Sequence, residues 1–230
     1  MTLIQSSAVS GKSFDWDQAR FNMIEQQIRP WDVLDPTVLD LLFKVHRENF
    51  VPASHKNLAF VDMEIPIGHG EVMLSPKLEA RMLQELSIQS GDAILEVGTG
   101  TGYMTALLAS LGGHVYSVDI HEEFTRLAGS NLTANGVRNI TLETGDAARG
   151  WPARGPYDAI VLTGSVPVLP DAFTDMLKPG GRMIAVVGEA PAMEARLITR
   201  SVTGAVHAVS LFETAIRPLL NAPQREKFVF

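Results

Sequence analysis

The sequence predicts an α/β fold built on a doubly wound, mostly parallel sheet, with an N-terminal helical extension and a C-terminal antiparallel hairpin. Two observations carry that prediction. From residue 93 onward, short unbroken apolar runs alternate with helix-like stretches. Parallel strands are covered on both faces and so read as continuous apolar runs, and their alternation with helices implies right-handed crossovers. Before residue 90 the pattern is different: helical spacing dominates and no such alternation occurs.

In chain order, Met1 to Ser13 is polar, lacks a basic-then-apolar signal pattern and reads as a loose leader. Residues 20–28 and 36–45 place apolar side chains at helical spacing (Val38, Leu39, Leu41, Leu42 and Val45 in the second), and Asp35 stands where it can cap that second helix. Residues 60–76 hold Pro66, Gly68 and Gly70 and read as irregular; a helix over 77–86 then ends at the turn Ser90-Gly91-Asp92. Strands follow over 93–98, 114–120, 140–144, 159–163 and 182–187, with helices over 103–111, 122–135 and 171–177. The last helix stops at Lys178-Pro179-Gly180-Gly181. Residues 196–200 and 206–212 flank Thr203-Gly204 and predict the terminal hairpin. The chain thus divides into a helical and substrate-loop extension, 1–90, and an α/β domain, 91–230, expected to form one globular unit. The tail's Phe228 and Phe230 are expected to pack on a neighbour or on their own domain.

Composition excludes several classes. A chain of 230 residues with 46% hydrophobic and 20% charged residues is long enough for a sizeable core. The net charge of −7 offers no basic field to nucleic acid or anionic lipid. There is no cysteine, hence no disulfide and no thiolate site, and His46, His55, His114, His121 and His207 lack paired metal spacing; they read as surface or turn residues. No metal is expected. No apolar run approaches the roughly 20 residues of a membrane span, and a cytoplasmic location is the expectation.

The sharpest local signal is Glu96-Val97-Gly98-Thr99-Gly100-Thr101-Gly102, which ends a strand and opens a helix. Glycines allow the tight turn and a close approach of a ligand, and the helix start offers free N–H groups. Asp119 ends the next strand, where a carboxylate can accept both hydroxyls of a ribose, and Asp146 follows the third, placed for the amine of an adenine. Glu96 suits the ammonium of a methionine moiety. A dinucleotide domain would space its glycines G-x-G-x-x-G and cradle a pyrophosphate, which an adjacent carboxylate would repel. The constellation therefore points to S-adenosyl-L-methionine. Three acids at the carboxyl ends of successive strands sit where open α/β sheets bind ligands.

These residues resemble the protein-L-isoaspartate O-methyltransferases, from Ile28 to Gly188. Arg47-Glu48-Asn49-Phe50-Val51-Pro52 is similar to the family's R-E-x-F-V-P. Phe60-Val61-Asp62 with Ile65-Pro66-Ile67-Gly68-His69-Gly70 is similar to Y-x-D-x-P-L-P-I-G-x-G. Ile94 to Thr105 matches L-E-I-G-T-G-S-G-Y-x-T, Gly150-Trp151-Pro152 and Pro156-Tyr157-Asp158-Ala159-Ile160 match G-W-P and P-Y-D-A-I, and Gly145-Asp146 is similar to G-D-G with Ala147 in place of the last glycine. The Leu177-Lys178-Pro179-Gly180-Gly181-Arg182 stretch is shared widely among methyltransferases. The resemblance implies a class I methyltransferase (Rossmann-like) fold. It implies a cofactor site made by Glu96, Gly98, Thr99, Gly100, Asp119, Ile120, Asp146, Ala147 and Thr163. It also places His69, Leu74 and Ser75 in a loop that covers the substrate, a protein or peptide with isoaspartyl residues. The loop departs from the family: Q-T-I-S-Q-P becomes Glu71-Val72-Met73-Leu74-Ser75-Pro76, so two hydroxyls are replaced by Val72 and Leu74 and an acid, Glu71, is added.

A carboxylate acceptor is already ionised near neutral pH and needs no general base. Catalysis then rests on holding its oxygen against the methyl carbon, worth roughly 7–11 kcal/mol in favourable cases, and on excluding water. A phenol or amine acceptor would call for a base, and His69 is the nearby histidine in sequence. Three functions stay open: repair-type methylation of a peptide carboxylate, methylation of a small apolar acceptor that Val72, Met73 and Leu74 would suit, and a cofactor-binding adaptor without turnover. Met73 and Leu74 equally suit a packed loop. Trp31 and Trp151 are expected in packing, and Glu25 with Arg29 as a surface ion pair of little worth.

Overall fold

The computed structural model describes residues 14–224; the leader Met1–Ser13 and the two tail phenylalanines lie outside the described residues. Helix α1 (Trp16–Met23) is capped by Asp15, whose side chain accepts from the Gln18 N–H, and runs on through a π-helical turn over Ile24–Ile28. Helix α2 (Pro36–Lys44) starts as predicted: Asp35 accepts from the N–H groups of Thr37 and Val38, and Pro36 occupies the first turn, where its missing donor costs nothing. Its buried stripe is Val38, Leu39, Leu41 and Leu42. The segment read as irregular contains instead an antiparallel hairpin, β1 (Ile65–Gly68) and β2 (Glu71–Met73). Strands this short show no period-two pattern, and the two glycines that suggested disorder of direction are the turn, where Gly68, His69 and Gly70 all have positive φ.

Helix α3 (Pro76–Leu86) leads into the alternation: β3 (Ala93–Val97), α4 (Tyr103–Leu111), β4 (His114–Asp119), α5 (Glu122–Ala134), β5 (Ile140–Thr144), β6 (Tyr157–Leu162), α6 (Asp171–Asp175), β7 (Leu177–Glu189), β8 (Ala192–Arg200) and β9 (Val206–Glu213). Helix α6 is shorter than expected, because Leu177 to Gly181 is drawn into β7; Leu177 pairs with Tyr157 across an irregular register. The seven-stranded sheet has the order β5-β4-β3-β6-β7-β8-β9, parallel through β7 and antiparallel for β8 and β9. The chain moves from β3 outward through β4 to β5, then returns to the other side of β3 as β6. The reversal opens a crevice at the carboxyl ends of β3 and β6.

Alternate strand residues feed two cores. Ile94, Val115, Val161 and Ile184 pack with Met23, Ile28, Leu42, Phe50 and Leu83, so the N-terminal segments share one core with a face of the sheet. Leu95, Val97, Ile160, Leu162 and Met183 pack with Phe173 on the other face. Trp31 packs edge-on against Phe212 at 5.1 Å, and Trp151 donates its indole N–H to Glu143. Glu25 and Arg29 form the expected surface pair at 2.7 Å.

The first core also holds a charge. Arg47 is 1% exposed and donates to the carbonyls of Ala59 (2.9 Å) and Leu74 (2.6 Å) and to the carboxylate of Glu79, with its guanidinium 5.0 Å from the Tyr103 ring. A neighbouring buried pair joins Arg20 to Glu48. Removing one partner of a buried pair strands the other charge and costs about 3–5 kcal/mol. Urea denaturation of Arg47→Met is expected to show a loss of that size, and adding Glu79→Gln should recover part of it; no recovery would mean that Arg47 acts through its carbonyl bonds alone.

Candidate active site

Strand β3 ends in the glycine turn. At Gly98, φ is +99° and a Cβ would stand 2.1 Å from the Thr163 hydroxyl oxygen, so only glycine fits. Thr163, just past β6, donates to the Gly98 carbonyl at 2.7 Å and locks the two strand ends together. Asp119 ends β4 buried, and both its oxygens are fixed: one accepts from the Gly100 N–H and the other from the His121 N–H, each at 2.9 Å. Asp146, after β5, is exposed; it accepts from the Ala148 N–H at 3.0 Å and from the Asn221 side-chain amide at 2.9 Å.

These strand ends floor a cleft whose empty space, open mouth included, is about 700 Å³. Gly98, Gly100 and Thr163 line it beside Asp119 and Ile120, with Asp146 and Ala147 on the β5 side. The hairpin roofs it through Ile67, Glu71, Val72 and Leu74. The segment Arg217 to Leu220 forms the remaining wall, held to the strand ends by bonds from Ser165 N–H to the Arg217 carbonyl and from Leu219 N–H to the Ser165 carbonyl, each 2.8 Å. A second chamber of about 330 Å³ opens under the hairpin and shares several walls with the first. Thr99 lines this chamber rather than the main cleft, as do Glu79 and Tyr103, and its hydroxyl bonds Ser117 at 2.6 Å.

Three of the other predicted residues line neither space. Glu96 points from β3 into the first core, fully buried, where Thr105 donates to one oxygen and the other has no partner. Burial pushes its pKa up to about 8; the hydrogen bond from Thr105 pulls it down and the charges of Asp119 and Glu79 push it further up. Ser75 stands at the start of α3, where its carbonyl accepts from the Leu78 and Glu79 N–H groups but its side chain makes no capping bond, and it lines neither space. His69 is exposed at the hairpin turn, stacked on His121 with ring centroids 4.4 Å apart. Leu74 does line the cleft, whereas Met73 packs in the core and reaches only the second chamber.

Reading the sequence missed four residues that the fold brings together. His121, expected as a surface or turn residue, stands in the turn between β4 and α5 and lines the cleft with its Nε2 buried and unpartnered; its place two residues after Asp119 was the signal. Glu79 occupies a buried position of α3 among Leu78, Ala80 and Met82, and a carboxylate on the apolar face of a helix is itself a flag. Burial raises its pKa to about 7 against the pull of Arg47. Arg217 and Leu219 lie far along the chain in a segment with no pattern, and nothing local announces them. Among the described residues no cluster of three or more histidines, aspartates and glutamates could hold a metal ion, and no helix is long and apolar enough to cross a membrane.

Parallel strands reversing beside β3, closed by the antiparallel β8–β9 pair and carrying their cleft at the reversal, define a class I methyltransferase of the Rossmann-like type. The family model for protein-L-isoaspartate(D-aspartate) O-methyltransferase matches residues 18–222, and the chain belongs to that family. It is 38% identical to the protein-L-isoaspartate O-methyltransferase of Methanoculleus marisnigri, over 88% of this chain and 91% of that one. It is 34% identical to protein-L-isoaspartate O-methyltransferase 1 of Rhodopseudomonas palustris, over 93% and 87%. Among solved structures, a Plasmodium falciparum protein in complex with S-adenosyl-L-homocysteine superposes with a TM-score of 0.72 at 17% identity, covering 90% of this chain and 99% of that one. A solved protein-L-isoaspartate O-methyltransferase gives the same TM-score at 23% identity; the match covers 89% of this chain but 65% of the other. At those identities the likeness is one of fold.

The raised carboxyls have a consequence for stability. A group whose folded pKa exceeds its unfolded value contributes fully below the unfolded value, and the contribution is lost as pH rises through the folded one. For Glu96 and Glu79 the window runs from the ordinary 4.5 to about 8 and about 7. Stability should fall across it, by up to about 1.4 kcal/mol per pH unit for each ionising group. Denaturation at several pH values is expected to show a shallower fall in Glu96→Gln; an identical slope would mean Glu96 is ionised throughout.

Proposed function

We propose that the chain transfers the methyl group of S-adenosyl-L-methionine to the carboxylate of an isoaspartyl residue in a damaged protein or peptide. The observation that carries this is Asp119, held by two backbone N–H groups at the cleft floor beside the glycine turn. Each carboxylate oxygen has a second lone pair left for a ribose hydroxyl. Family membership supports the same donor and acceptor.

The lining fits a cationic donor. It carries Asp119, Asp146 and Glu71, with Arg217 as its one Lys or Arg among the described residues. Asp146 and the Ala147 backbone would meet the adenine, with Ile120 and Leu219 along its faces. Glu79 and Thr99 in the second chamber would face the amino-acid end. When bound, S-adenosyl-L-methionine supplies an electrophilic methyl carbon on a sulfonium. The protein's task is to hold an acceptor oxygen in line with it, and Ile67, Val72 and Leu74 exclude water from that approach. An ionised carboxylate needs no base, so exposed His69 has no proton to take.

The apolar roof favours one second reading, a small apolar acceptor. Purified protein given labelled donor and an isoaspartyl peptide is expected to label the peptide; labelling of apolar small molecules alone would support the second reading and overturn the first. Donor affinity tests the site separately. In Asp119→Ala, calorimetry should show a loss of about 1.5–3 kcal/mol, tenfold or more in Kd, from the missing charge-assisted bonds. Unchanged affinity would place the donor elsewhere.

A further inference from the structure

Val72 and Leu74 leave the roof of the cleft without a hydroxyl to meet an anion, yet the proposed acceptor is anionic. One residue in the lining has the opposite character. Arg217 is exposed at the cleft wall, and among the described residues its guanidinium makes neither a salt bridge within 4.0 Å nor a side-chain hydrogen bond. Its backbone is not free to wander: the Arg217 carbonyl accepts from Ser165 N–H at 2.8 Å, and Pro218 forms a parallel bridge to Ser165. The side chain is thus presented from a fixed point across from the hairpin. Its charge reaches the hairpin's base, because it pulls down the pKa of Glu64, which burial pushes up. Beside a cationic donor a cation in the lining is repelled, and an anionic acceptor offsets that repulsion.

We propose that Arg217 is the specificity-determining residue that receives the acceptor's carboxylate. This rests on the function proposed above. The guanidinium fork matches a carboxylate with two parallel N–H···O bonds. It takes the place of hydroxyls that the roof lacks, and it offsets the like charge of Glu71, which lines the same cleft. The competing role for this cation is the donor's own carboxylate, so donor and acceptor affinities must be read separately.

The test compares wild type, Arg217→Ala and Arg217→Lys. For isoaspartyl peptide, Arg217→Ala is expected to raise KM by about 10- to 150-fold, the equivalent of charge-assisted bonds, with kcat little changed. Arg217→Lys should recover part of the loss, as a charge without the fork. Calorimetric affinity for S-adenosylhomocysteine should be unaltered in both variants. A peptide KM unchanged in Arg217→Ala would overturn the inference while leaving the function intact; so would a loss confined to S-adenosylhomocysteine binding. If wild type methylates no isoaspartyl peptide, the function fails instead. Succinate binding to the S-adenosylhomocysteine complex then decides the inference: binding lost in Arg217→Ala keeps Arg217 as the carboxylate site, and equal or absent binding in both proteins overturns it.

Discussion

The buried guanidinium of Arg47 is the constraint on which the site's geometry depends. It comes from the Arg47 to Pro52 segment, outside the parallel sheet, and reaches the end of the hairpin through the Leu74 carbonyl, α3 through Glu79 and the start of α4 against Tyr103. A desolvated cation is stable only if its donors are met, so those partners must arrive together. The requirement fixes the hairpin over the glycine turn. It also makes the N-terminal segments part of the α/β unit, since Met23, Leu42 and Phe50 lie in the same core as Ile94 and Val161.

Charge is then distributed in layers. Deepest are Glu79 and Glu96, whose raised pKa values leave the core with less negative charge than its composition suggests. Above them Asp119 is bonded at both oxygens by backbone donors, which orient it. Arg217 stands at the rim. A sulfonium donor and a carboxylate acceptor need fields of opposite sign a short distance apart. The acids at the strand ends and the cation on the C-terminal wall provide them from separate elements.

The sheet was legible because its strands obey a simple rule. Ile94 to Val97, Val115 to Val118 and Ala159 to Leu162 are mostly apolar runs, interrupted by Glu96 and Ser117, and the first two end at Gly98 and Asp119. The donor side of the cleft was legible for the same reason, since Gly98, Asp119 and Asp146 sit next to elements the pattern defines. The hairpin was not, because four- and three-residue strands carry no periodicity. Glu96 was assigned to the cleft from its spacing to the glycines. Strand alternation shows otherwise: it shares a face with Ile94, and that face turns to α3 and α4. Arg217 was out of reach because its place depends on a pair distant in sequence, with Ser165.

The two sides of the cleft differ in how they are held, and this bears on how freely each can change. On the donor side, side chains make the structure: replacing Thr163 or Asp119 breaks bonds to Gly98 or Gly100 and moves the turn itself. On the acceptor side the backbone does the holding. Residues 65–68 pair with 71–73 as a ladder, and residues 217–219 are tied to Ser165 through main-chain groups. Main-chain bonds are indifferent to the side chain they carry. Val72, Leu74 and Arg217 can therefore take their present identities without disturbing the fold, and an anion-binding group can shift from the roof to the opposite wall. The donor site has less such freedom: its turn keeps the family's glycines and Ala147 replaces one after Asp146, whereas the loop above it changes at Glu71, Val72 and Leu74.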